Sequence, residues 1–237
     1  MRSKVTLENG ATYEGEWLDG RRDGQGKQVW ADGSCYEGQW KRGRIDGQGT
    51  FCYANGNSYT GDWVKDKKHG KGTFKHASGT SYVGDWVADK EEGFGKNTWP
   101  NGSSYEGGYL KGSKHGKGLL TYKNGDVYEG DLVQNALHGD GSFTWASTKK
   151  KYVGQWQNSK MHGKGHMIYP DGKEYVGDFE NDMRHGQGLY KFGDEREYDG
   201  GWEKGKQSGL GFYKDRNSTR RQGLWQDGKR VQWIDGV

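Results

Sequence analysis

Apolar and polar residues alternate with a period of two along nearly the whole chain. Tyr36, Gly38 and Trp40 alternate with Glu37 and Gln39, and further on Gly47, Gly49, Phe51 and Tyr53 alternate with polar or small residues. Alternation over five to seven residues marks a strand with one packed face, and a helical period of 3.6 is absent. The pattern also repeats at a longer interval. Anchor tyrosines stand at Tyr13, Tyr36, Tyr59, Tyr82, Tyr105, Tyr128, Tyr152, Tyr175 and Tyr198, with Arg221 in the tenth position. Each is followed two residues on by glycine and two further by a large apolar residue, as in Gly38 and Trp40 or Gly61 and Trp63. Seven residues later comes Gly-x-Gly, from Gly24/Gly26 to Gly209/Gly211. A fixed period of this kind is the signature of a repeat architecture.

Two kinds of connection separate the strands. One reads as a six-residue polar loop, such as Lys41 to Asp46. The other reads as a tight turn at Asn9-Gly10, Asp32-Gly33, Asn55-Gly56, Asn101-Gly102, Asn124-Gly125 and Asp171-Gly172, dipeptides that accept the positive φ of tight hairpins. The expected register sets Tyr36 opposite Phe51, Gly38 opposite Gly49 and Trp40 opposite Gly47, so that each indole covers a bare glycine backbone. The predicted fold is all-β: an elongated, single-layer antiparallel β-meander, a solenoid-like rod of about ten hairpin repeats in one domain over residues 1–237. At ~4.8 Å per strand each repeat would add roughly 9–10 Å. A half-unit cap is expected over 1–12 and a C-terminal cap over about 226–237, where Gln232-Trp233-Ile234 replaces Gly-x-Gly. The turn Ala146–Lys150 is one residue longer than its equivalents, which predicts a kink or bulge.

The units Tyr13-Glu14-Gly15-Glu16-Trp17 … Gly24-Gln25-Gly26 and Tyr36-Glu37-Gly38-Gln39-Trp40 … Gly47-Gln48-Gly49 resemble MORN repeats, and the resemblance covers about residues 4–234. It implies an aromatic-lined trough and a scaffold role, as in cilia and flagella, radial spokes and cytoskeleton–membrane junctions. Some members are said to bind phosphoinositides. Others are fused to lipid-kinase or methyltransferase domains, for which the repeats here are expected to leave no room.

Composition sharpens this picture. Hydrophobic residues make up 30% and charged residues 29%, with a mean hydropathy of -1.20, a balance that would suit a disordered chain. The 11 Trp and 15 Tyr contradict disorder, and stability must come from many small repeated contacts. A net charge of +4 is far from that of a dedicated nucleic-acid binder. With two cysteines, no apolar h-region and no stretch of ~20 apolar residues, a cytoplasmic location is expected. The resemblance directs it to the cytoskeleton and the ciliary or flagellar axoneme.

Candidate chemistry is sparse. The Gly-x-Gly pairs lack the third glycine and the helix of a dinucleotide site. His69, His115, His138, His162 and His185 are one repeat position used five times, spaced too far apart to share a metal. Neither catalytic residues, a metal nor a cofactor is expected. Cys35 and Cys52 fall opposite one another, and a disulfide there is geometrically conceivable. Three surfaces are candidates for partners. The trough aromatics Tyr36, Trp40, Phe51, Tyr53, Tyr59, Trp63, Tyr82 and Trp86 would serve both fold and binding. A basic edge of Arg21, Arg22, Lys41, Arg42, Arg44, Lys67 and Lys68 would meet an acidic protein or anionic lipid; the alternative is ordinary solvated loops. Leu189, Leu210 and Phe212 would form an exposed apolar contact patch. The leading expectation is a non-enzymatic scaffold for axonemal or cytoskeletal proteins, with association to itself or another MORN protein. The alternative is a peripheral membrane adaptor for anionic phospholipid.

Overall fold

The structure, a computed structural model, describes residues 4–234. Among these there is no helix, and twenty-one strands follow one another in antiparallel hairpins, so the fold is an open β-meander of repeats. The chain divides into two compact units, residues 1–115 and 116–237, and the same hairpin builds both.

In the first unit the hairpin of Cys35–Lys41 and Arg44–Cys52 shows the design. Tyr36 pairs with Phe51 and Gly38 with Gly49, as the alternation predicts, but Trp40 pairs with Ile45. A bulge after Gly38 displaces the register, and Gly47 faces Trp63 of the following strand instead. Gly47 has φ of 107°, a conformation open to glycine at little cost. The bulge is capped by Gln39, whose Oε1 accepts the Gln48 N–H at 2.7 Å. Asp62 caps the Lys71 N–H in the same way at 2.8 Å.

The ring over the glycines belongs to tyrosine, not tryptophan. A Cβ on Gly49 would lie 2.2 Å from the Tyr36 hydroxyl oxygen and 2.4 Å from Cζ. The Tyr36 hydroxyl donates to the Gln39 carbonyl at 3.1 Å, and the nine anchors repeat this bond at 2.7–3.1 Å. All nine tyrosines are 0–1% exposed. The indole works between repeats: Trp40 Nε1 donates to the Gly26 carbonyl at 3.1 Å, and Trp63 Nε1 to that of Gly49 at 3.2 Å. Trp40 stands edge-on to Tyr13 and Tyr36, with centroids 5.6 and 5.2 Å apart, a favoured aromatic geometry. At the N-terminal end Trp17 stands edge-on to Tyr13 at 5.1 Å and is 42% exposed.

The connections are the reverse of those expected. Residues 41–46 form two strand ends joined by a two-residue turn, in which Arg42 and Gly43 have φ of 50° and 83°. Two positive φ values give the type I′ hairpin that matches strand twist. Lys65-Asp66 and Ala88-Asp89 adopt the same turn without glycine. The Asn-Gly dipeptides lie in five-residue connections. There Tyr53 N–H donates to Asn57 O and Gly56 N–H to Tyr53 O, both at 2.9 Å.

The second unit repeats these contacts. Tyr152 covers Gly165, and Trp156 Nε1 donates to the Gly141 carbonyl at 3.2 Å. The extra residue before Tyr152 is absorbed within the turn, where Lys149 N–H donates to Trp145 O at 2.8 Å. The ladder on either side keeps its register, Gly141 facing Gly154 and Phe143 facing Tyr152. At the C-terminal end Trp233 pairs with Gly223, and the Arg221 guanidinium lies 4.2 Å over the Trp233 ring. Ile234 donates its N–H to Gln222 O at 2.9 Å. The remainder of the expected caps, residues 1–3 and 235–237, lies outside the described residues.

Two consequences can be measured. Gly49→Ala is expected to cost about 3 kcal/mol, the upper end for overpacking, because a fully buried ring blocks the new methyl group; urea denaturation would show a lower midpoint. Burial raises the phenol of every anchor from Tyr36 to Tyr198, those of Tyr105 and Tyr198 to about 12. The unfolded chain releases these protons near pH 10, while the folded chain retains them. The stability they contribute is therefore complete below about pH 10 and lost as pH climbs through the folded values. Phenolate absorbance is expected to appear together with loss of the sheet circular dichroism, as one cooperative transition.

Candidate functional site: an aromatic trough over a buried tyrosine–tryptophan floor

The predicted trough residues occupy two levels. Tyr36, Tyr59 and Tyr82 are at most 1% exposed, and Trp40, Trp63 and Trp86 are 3–5% exposed, so these six form the floor. Phe51 and Tyr53 are half-buried and form the walls. Their rings are 4.5 Å apart, and Tyr53 reaches on to Phe74 at 6.0 Å.

A third level was not foreseen. The residue nine positions after each anchor lies at the start of the hairpin's return strand, and at Arg22, Lys68 and Arg184 its side chain reaches the ring of the next repeat. In the first unit these are Arg22, Ile45, Lys68, Glu91 and Lys114. Arg22 lays its guanidinium 4.2 Å over Trp40 and donates to Gly43 O at 2.6 Å and to Gln28. Lys68 sets its ammonium 4.6 Å from Phe74 and 4.8 Å from Trp86, bordering a cavity of about 280 Å³. Burial pushes both cations below their usual pKa values. Burial likewise raises the Glu91 carboxyl, against the opposing pull of Lys68 and Lys114. Arg22 and Lys68 were assigned to the basic edge; the structure turns them inward instead. Their long apolar stems lie along rings while the charge meets a π face.

The rest of the basic edge, Arg21, Lys41, Arg42, Arg44 and Lys67, is exposed. Carboxylates interleave it. Asp23 accepts the Arg42 N–H at 3.0 Å, Asp46 the Lys65 N–H at 3.2 Å and Asp89 the Lys68 N–H at 2.9 Å. These bonds tie each two-residue turn to its neighbour and place negative charge among the bases.

In the second unit the nine-after positions are Leu137, Met161, Arg184 and Gln207. Arg184 stacks 4.2 Å over Trp202 and 5.1 Å over Tyr190. Around Leu137 and Met161 the trough opens into a cavity of about 350 Å³, walled by Tyr122, Phe143, Trp145 and Trp156. On the opposite face Leu210 and Phe212 are exposed, at 54% and 39%, and Leu189 is half-buried. Leu189 pairs with Val176, while Asp199 separates it from Phe212. The Arg220 guanidinium covers Phe212 at 4.3 Å.

Cys35 and Cys52 are direct cross-strand partners and are both free thiols. Among the described residues no group of three or more His, Cys, Asp and Glu could hold a metal ion. His69, His138 and His185 each pair across the hairpin with an aspartate that caps a bulge.

The two levels predict different mutational costs. Trp63→Ala removes a floor ring and its bond to Gly49, and is expected to cost about 3–4 kcal/mol. Tyr53→Ala removes a half-buried wall ring and should cost about 1 kcal/mol; thermal or urea unfolding of the two variants checks the contrast.

Among solved structures the chain is similar to the wild-type TCP10 domain of Danio rerio CPAP, at 11% identity and a TM-score of 0.46, covering 99% of this chain and 100% of that one. It is also similar to the SAS-4 (dCPAP) TCP domain of Drosophila melanogaster, in complex with a proline-rich motif of Ana2 (dSTIL). That match has 14% identity and a TM-score of 0.37, covering 76% and 90% of the two chains. Likenesses at this level have no bearing on function. No curated protein matches. The family model of the MORN repeat matches nine consecutive segments, 13–35, 36–58, 59–81, 82–104, 105–127, 128–148, 152–174, 175–195 and 198–220. The unit anchored at Arg221 lies beyond them. With the tyrosine anchor, the bulge glycine and the stapling tryptophan recurring in this register, the chain belongs to the MORN repeat family.

Proposed function

We propose that the chain is a non-enzymatic protein-interaction scaffold whose trough receives an extended or helical segment of another protein. One observation carries this reading. Over the buried tyrosine–tryptophan floor stands a second tier of half-buried rings that borders cavities of about 280 and 350 Å³. Aromatic surface lining a concavity beside polar groups that can orient a ligand is the usual character of a binding site. The repeated unit offers the same surface many times, which suits a long ligand better than a small one. Membership of the MORN family supports a scaffold role. Work in a ciliary, axonemal or cytoskeletal assembly, alongside another MORN protein or a second copy, is our extension of that membership.

The test is site-specific photocross-linking in the native cell. A photoreactive residue at Tyr53 in the trough is expected to trap a discrete protein partner. The same residue at Val83, exposed on the outer face, should trap little. Equal trapping at both sites would sink the trough as the docking surface. A chain that traps nothing but sediments with anionic vesicles, and loses this when Arg42, Arg44 and Lys67 are neutralised or salt is raised, would support the lipid adaptor instead.

A further inference from the structure

In the trough of the second unit one aromatic pair has an aliphatic residue, as Phe51 and Trp63 do with Ile45, where the equivalent pairs of two other repeats hold a cation. The argument rests on one repeat position compared with itself. Lys68, nine residues after its anchor, places its ammonium 4.6 Å from Phe74 and 4.8 Å from Trp86. The centroids of those two rings are 6.2 Å apart, with their planes at 44°. Arg184 does the same between Tyr190 and Trp202, whose centroids are 5.9 Å apart. Phe143 and Trp156 form the equivalent pair in a third repeat, with a separation of 6.0 Å and planes at 42°. The residue at their cation position is Leu137, which is buried, and the cavity beside it, about 350 Å³, is larger than those of about 280 and 290 Å³ that border Lys68 and Arg184.

The charges around this cavity point the same way. Among the described residues that line it, the charged ones are Asp126 and Asp182, and none is a lysine or arginine. Asp126 is only 9% exposed. Its oxygens accept the Ala146 N–H at 2.8 Å and the Asn124 amide at 3.0 Å, leaving lone pairs for further donors. Asp182 accepts the Met161 N–H at 2.8 Å. The nearby Lys150 lies 5.1 Å from the Trp145 ring but does not line the cavity. A π-walled space with carboxylates and no base favours a positive guest, and fork-shaped guanidinium suits rings and carboxylates together.

We propose that the cavity between Phe143, Trp156, Asp126 and Asp182 binds an arginine or lysine side chain presented by a partner protein, in the way that Phe74 and Trp86 hold this chain's own Lys68. The guest would extend along Leu137 and Met161 with its apolar stem and meet the rings and carboxylates with its charge. This rests on the trough being the partner-binding face, and it assigns one anchor residue of that partner.

The test needs the chain alone. N-acetyl-arginine amide is titrated against isotope-labelled protein, with N-acetyl-citrulline amide as its neutral isostere, and the Trp145 and Trp156 indole N–H signals are followed. The expected result is saturable shifts with arginine and at least about tenfold weaker binding of citrulline, a difference of about 1.4 kcal/mol. Leu137→Lys supplies the cation internally and should abolish the titration, whereas Leu137→Met should retain it. The Lys68 precedent means that the fold tolerates lysine at this position, which the dispersion of the amide spectrum would verify. Equal binding of citrulline, no binding of either compound, or undiminished binding by Leu137→Lys overturns the proposal. Failure here would leave the cross-linking result at Tyr53 standing, so the cavity and the scaffold can fail separately.

Discussion

The contact on which everything else depends is a tyrosine ring lying flat on two glycines of a hairpin. Tyr36 covers Gly38 and Gly49, and its hydroxyl closes onto the Gln39 carbonyl at 3.1 Å. A hairpin of polar strands has little apolar area to bury, and an isolated two-stranded hairpin is marginal in water. The bare backbone lets a large ring sink fully out of solvent, where it joins Trp40 and Ile45 on the buried face of the hairpin. The hydroxyl is then satisfied by a carbonyl that the adjacent bulge exposes. Glycine's conformational cost in a strand is thereby offset by the ring above it.

From this contact the rest follows in order. The bulge is needed to aim the carbonyl, hence the first glycine of Gly-x-Gly at positive φ and the Gln or Asp that caps the freed N–H. The tryptophan can then reach the preceding repeat, bond its glycine carbonyl and stand edge-on between two tyrosines. Each unit is stable only against its neighbours, as expected of a repeat protein. Trp17, with no preceding ring, is left partly exposed and shows what each interior repeat gains from the one before it.

Strand alternation, the Tyr36–Phe51 and Gly38–Gly49 pairs and the repeat boundaries were legible because a period of two and a period of 23 are visible directly in the chain. The turns were not. Lys65-Asp66 and Ala88-Asp89 carry no turn signature, and the sheet's twist imposes positive φ on them regardless. The bulge hid the place of Trp40, since two extra residues per hairpin leave the alternation on either side looking unbroken. The trough cations were missed for a related reason. Charge in a strand flank ordinarily means solvent, but the stems of Arg22 and Lys68 follow the rings inward, and only the packed neighbour repeat shows it.

Separation of floor from wall is also what makes the trough free to vary. The floor positions repeat tyrosine at nine anchors and a large apolar residue four positions on, tryptophan except at Tyr109, Leu132 and Phe179. The position nine residues on carries arginine, isoleucine, lysine, glutamate, leucine, methionine and glutamine on the same backbone. A stack with a repeated floor therefore carries a different chemistry at each step. In the first unit Glu91 stands between Lys68 and Lys114, so charge alternates along the trough. In the second unit Leu137 and Met161 border a cavity of about 350 Å³ whose charged lining residues are both aspartates. The fold thus fixes the backbone of the trough, and the nine-after residues set the charge and volume presented at each repeat.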